Sequence, residues 1–138
     1  MSKGLKRLHL IGYILEAIIA VFCIFVFVIS ILITTPMSRE IIEKGLRDGT
    51  IAMDTTISIE QNINNIQTLF TYFTLVFAVF MLAYVANTII CFLVSKGLES
   101  KKIFIISLIL SVIGFNPVLI AANSLLLRDS DVEVIEVN

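Results

Sequence analysis

Three long apolar runs, residues 8–33, 68–94 and 103–127, set the pattern of the chain. A helix needs about 20 residues to cross a hydrocarbon core of ~30 Å, so each run is long enough to span, with the surplus absorbed by tilt or protrusion. Lipid offers no partners for backbone groups, so the runs must be helices. The expectation is an all-α integral membrane protein, a single membrane domain over 1–138 with three transmembrane helices.

The polar stretch 34–67 separates the first two runs. Pro36 and Ser38 can open a short helix carrying Met37, Ile41, Ile42 and Leu46 on one side, and Asp48-Gly49 should end it. This amphipathic extracytoplasmic segment is expected at the outer membrane interface. Residues 51–60 nearly alternate apolar and polar, yet a lone strand has nothing to pair with. An early start to the second helix fits better. Ile59, Ile63, Ile66, Phe70, Phe73, Phe77, Phe80, Tyr84, Asn87 and Cys91 recur in steps of three and four, one continuous stripe.

The first run gathers its small and polar side chains the same way: His9, Gly12, Glu16, Ala20, Cys23, Phe27, Ser30 and Thr34 share one face. In lipid, helices associate through small residues and interhelical hydrogen bonds, so that face should point at protein. The third run shows two faces, Ser107, Ser111, Gly114, Val118 and Ala121 on one, Asn116 and Asn123 nearly opposite. One helix then requires two neighbours, from this chain, a second copy or another membrane protein. Within that run Pro117 removes a backbone donor and disfavours helix at Asn116. A kink at Asn116-Pro117 is expected, with a re-entrant pair of half-helices as the alternative.

Glu16 is the acidic residue inside an apolar run, about 12 Å along the helix from Leu8 at 1.5 Å per residue. Its desolvation has to be offset by a donor such as Asn87, by leaning back toward His9 and Tyr13, or by a partner's cation. Asn87 and Asn123 are candidates for hydrogen bonds between helices. Cys23 and Cys91 differ in height by well over ~10 Å, beyond disulfide reach.

Composition agrees with this picture: 58% hydrophobic and 15% charged residues, with a mean hydropathy of +1.01, are too apolar for a small water-soluble domain. They also argue against a nucleic-acid-binding protein. Lys3, Lys6, Arg7, Lys96, Lys101 and Lys102 flank one side of the runs against Glu99, while the 34–67 loop and the tail are acidic. The positive-inside rule then places the N-terminus in the cytoplasm and, with three spans, the C-terminus outside. The run at 8–33 is too long for a signal peptide and no Ala-x-Ala site follows, so it reads as a retained helix. Catalytic signatures are missing, a single histidine precludes a multi-histidine metal site, and no cofactor is expected.

The Ile-rich spans, the basic cluster Lys3, Lys6 and Arg7, and the broken last span ending in Asn123-Ser124-Leu125-Leu126-Leu127-Arg128 resemble small multi-pass plasma-membrane proteins of Gram-positive bacteria. The resemblance is compositional and implies a non-enzymatic accessory or immunity-type protein. The resemblance carries no functional residue; from the polar and small-residue stripes and the outer loop, the expectation is helix contact with another integral membrane protein through Gly12, Glu16, Ala20, Cys23, Asn87, Ser107, Ser111, Gly114, Asn116 and Asn123. The alternative is a homo-oligomeric ion channel or small transporter lined by the Glu16 stripe; a lipid-binding role beside the Phe stripe is a weaker third.

Overall fold

A computed structural model of the chain describes residues 1–137, with side chains through Ser130. Among the described residues there are five α-helices and no strand: α1 (Lys3–Ile33), α2 (Ser38–Asp48), α3 (Ile59–Ser95), α4 (Lys101–Ile113) and α5 (Pro117–Val137). Two of them, α1 with 31 residues and α3 with 37, are long and apolar enough to cross a membrane. Only 22% and 17% of their most apolar windows are buried, so most of this apolar surface faces outward, the reverse of a core helix in water.

The contacts divide the chain into two compact units, 24–79 and 1–23 with the chain from 80 on. In the first, Ile42 and Leu46 of α2 pack on Ile63 at the start of α3, flanked by Ile33, Ile51, Ile59 and Ile66. Met37 and Ile41, expected on the same side, point outward at 86% and 74% exposure. Gly49 ends α2 in the left-handed region at φ 82°, where a Cβ is disfavoured. Residues 51–58 are irregular with a turn at 55–56, and α3 begins at Ile59. Asp48 accepts hydrogen bonds from the Thr50 amide and hydroxyl, and Asp54 from those of Thr56. Asn62 then clamps the turn, accepting from the Asp54 amide and donating to the Asp54 and Ser58 carbonyls. Gln67 donates to the Ile33 and Thr35 carbonyls, satisfying groups that the end of α1 leaves open.

In the second unit α4 and α5 pack against each other. Asn123 Nδ2 donates to Ser107 Oγ at 3.0 Å across 16 residues of sequence, a separation that spans ~24 Å along one helix. The expected single span with a kink at Asn116-Pro117 is therefore replaced by an antiparallel helical hairpin.

The cause lies in Gly114-Phe115-Asn116-Pro117, which is a helix stop followed by a helix start. The Asn116 amide donates to the Ser111 carbonyl (2.9 Å) and the Phe115 amide to Val112 (3.2 Å), the two bonds of a Schellman ending. Phe115 occupies its left-handed position at φ 53°. Asn116 Oδ1 accepts from the Leu119 amide at 3.1 Å, making Asn116 the N-cap of α5, and Pro117 takes the first helical position, where its missing N–H costs nothing.

The hairpin also brings the chain back. Leu126 packs with Leu5, Val94 and Phe104, and Asp129 and Ser130 line a cavity with Met1, Ser2 and Glu99. The C-terminal part of α5 thus lies beside the N-terminus, where three full spans would have set it at the opposite end. The tail acids Asp131, Glu133 and Glu136 in that charge balance have side chains outside the described residues.

Candidate functional site

Six polar side chains form one buried cluster that runs from the hairpin turn along the facing sides of α4 and α5. Glu16 (α1), Asn87 (α3), Ser107 and Ser111 (α4), Asn116 at the turn and Asn123 (α5) are each at most 1% exposed. Helical spacing explains the convergence: Gly12 and Glu16 are one turn apart on α1, and Ser107 and Ser111 one turn apart on α4.

Glu16 Oε1 accepts from Asn87 Nδ2 at 3.1 Å and Oε2 from Asn116 Nδ2 at 2.7 Å. Asn87 Nδ2 also donates to Ser111 Oγ (3.0 Å), and Asn87 Oδ1 accepts from Ser107 Oγ–H (2.7 Å). Ser111 Oγ–H donates to the Ser107 carbonyl at 2.6 Å. Asn116 Nδ2 reaches the Gly12 carbonyl at 3.2 Å. Asn123 Nδ2 bonds the Leu119 carbonyl and Ser107 Oγ, both at 3.0 Å. No ion pair to Glu16 occurs among the described residues; its two oxygens accept instead from the carboxamides of Asn87 and Asn116.

Two glycines let the helices close around this cluster. A Cβ on Gly12 would stand 2.6 Å from Leu119 Cδ2 and 3.2 Å from its backbone nitrogen. One on Gly114 would stand 2.8 Å from Tyr84 Cε1. The Tyr84 hydroxyl donates to the Gly114 carbonyl, satisfying a turn carbonyl that hydrocarbon would leave bare.

Among the residues singled out by sequence, Gly12, Glu16, Asn87, Ser107, Ser111, Gly114, Asn116 and Asn123 come together here, all facing inward. Ala20 and Cys23 pack with Tyr84 one to two turns further along α1. Cys23 and Cys91 are buried free thiols. Val118 and Ala121, assigned to the Ser107 face, do not join it: Val118 is half-buried and Ala121 exposed. Leu119 and Ala122, both fully buried, take the inward positions instead, because the register restarts at Pro117. Among the described residues no group of three or more His, Cys, Asp and Glu is placed to hold a metal ion. Comparison with protein-family models, curated proteins and solved structures finds no match.

Proposed function

We propose that the chain is a non-enzymatic plasma-membrane protein of accessory or immunity type that works by contact with another integral membrane protein. In this reading α1 and α3 cross the bilayer, and α4 and α5 form a re-entrant hairpin that turns near mid-depth. Lys3, Lys6, Arg7, Lys96, Lys101, Lys102 and Arg128 lie toward the end that carries both termini, while Arg39, Lys44 and Arg47 belong to the long loop. This asymmetry supports a cytoplasmic N-terminus and, through the hairpin, a cytoplasmic C-terminus as well.

The observation that carries the contact reading is Phe115. It sits at the hairpin tip in the left-handed region at φ 53°, with its side chain 81% exposed. That backbone costs a non-glycine residue about 1–2 kcal/mol, and glycine normally occupies the position. A strained, outward-facing aromatic at mid-depth is suited to contact with a second helix surface. The polar faces are used up inside the unit, so the partner meets Phe115 and the exposed Ile109, Val112 and Ile113 of α4. A channel lined by the Glu16 stripe has less support, because the chain's own helices cover that carboxylate completely.

Phe115→Gly separates fold from function. The variant is expected to insert normally, gain about 1 kcal/mol of stability from relieved backbone strain, and lose the second protein in native mass spectrometry after mild extraction. Equal recovery of a complex from wild type and variant would contradict the reading.

A further inference from the structure

Among the described residues, two buried side-chain atoms lack a hydrogen-bond partner: His9 Nε2 and Asn123 Oδ1. His9 is 4% exposed and Asn123 fully buried. Leaving such atoms bare in a dry interior carries the full penalty of their lost hydration. Reversing the Asn123 carboxamide gives no relief, since its oxygen would then face the Leu119 carbonyl that Nδ2 now serves at 3.0 Å.

The register sets these two groups opposite each other. Leu5 of α1 clusters with Leu126 of α5, and Gly12 meets Leu119. Seven residues separate the reference positions on each helix, running in opposite directions. His9 lies four residues from Leu5, and Asn123 three from Leu126, so their levels differ by about one residue rise, ~1.5 Å. His9 shares the inward stripe of Gly12 and Glu16, and Asn123 that of Leu119 and Leu126.

His9 is a donor or an acceptor at Nε2 according to its tautomer, while Asn123 Oδ1 is an acceptor. Water serves both, because it donates to the amide oxygen and either donates to or accepts from the imidazole. We propose that His9 and Asn123 hold one internal water molecule, and that this water joins the N-terminal end of α1 to the Glu16 cluster. His9 lines a cavity of about 290 Å³ with Lys6, Tyr13, Ser95 and Glu99. Beyond Asn123 the bonds run on without a gap: Asn123 to Ser107, Ser107 to Asn87, Asn87 to Glu16. The polar thread therefore enters from the end that carries the termini and reaches the carboxylate. Glu16 is thereby linked to that end through a continuous run of hydrogen bonds. This rests on the hairpin geometry and is independent of the contact proposed for Phe115.

His9 is the sole histidine of the chain, so protein with ¹⁵N-labelled histidine in lipid bilayers gives one imidazole to read. Its Nε2 is expected to show a correlation to a bound-water proton that disappears in Asn123→Leu. A direct contact to the Asn123 carboxamide without water, or a correlation that survives Asn123→Leu, would overturn the site. His9→Phe leaves every bond of the Glu16 cluster in place and tests the thread. Exchange of the Asn87 carboxamide protons into D₂O is expected to slow about tenfold, with unchanged helix content; an unchanged rate would refute relay from this end.

Discussion

Asn116 carries three duties through one side chain: it caps α5, bonds the Gly12 carbonyl and holds one oxygen of Glu16. Glu16 in turn is the acceptor on which two amides from different elements converge. Glu16→Ala removes both acceptors and leaves two buried donors unserved, so a loss of about 2–4 kcal/mol is expected. Unfolding in detergent micelles measures it, and a loss below about 0.5 kcal/mol, the scale of an average interhelical bond in lipid, would contradict this role. Gly12→Ala tests packing separately from polarity. Its Cβ meets Leu119 at 2.6 Å and that residue's backbone nitrogen at 3.2 Å, so α5 must shift, at about 1–3 kcal/mol. An unchanged unfolding midpoint would show that α1 and α5 are less closely apposed. At this scale the sequence was informative. Three- and four-residue spacing marks Gly12, Glu16 and Asn87 as inward, since period alone decides which face a helical residue takes. Leu119 was not legible, because its inward position depends on a register that restarts at Pro117.

Among the elements, the hairpin marks the limit of reading by hydrophobic length. A run of 25 residues satisfies the span rule, and Pro117 within it suggests a bend. The same Asn-Pro pair is also an N-cap followed by a first-turn proline, and the two readings differ only in whether α5 finds a surface to fold back on. Ser107 and Asn123, nearly opposite on a continuous helix, become partners once the chain reverses, so the two polar faces were the legible sign of the hairpin. The segment after α2 is expected to respond to acid. The Thr50 hydroxyl and amide hold the Asp48 carboxyl below its ordinary value, and those of Thr56 do the same for Asp54. A lowered folded-state value means that the stabilisation is fully present above the unfolded aspartate value of ~3.9 and is lost as pH falls through the folded value. Amide exchange over residues 49–58 should therefore remain protected at neutral pH and lose protection as pH drops below about 4. Protection that stays constant through that range would contradict the turn assignment.

For the whole molecule, exposed apolar helix surface and a buried, extensively hydrogen-bonded polar cluster are both what a hydrocarbon solvent would favour. In a bilayer, hydrocarbon would tolerate the exposed Leu, Ile and Phe of α1 and α3 and penalise every open backbone or side-chain bond, and the bonds from Tyr84 to the Gly114 carbonyl and from Gln67 to the end of α1 meet that demand. Charge patterning gives an expected orientation for α1, but not the side on which the C-terminus lies, since that depends on whether the last apolar run crosses or returns. The return is tested by labelling Ser2→Cys and Ser130→Cys, separately, with a membrane-impermeant maleimide in intact cells and in inverted vesicles; Cys23 and Cys91 are buried and should stay silent. Both engineered thiols are predicted to react in inverted vesicles and in neither case in intact cells, whereas labelling of Ser130→Cys from outside the cell would show a third full span and contradict the hairpin.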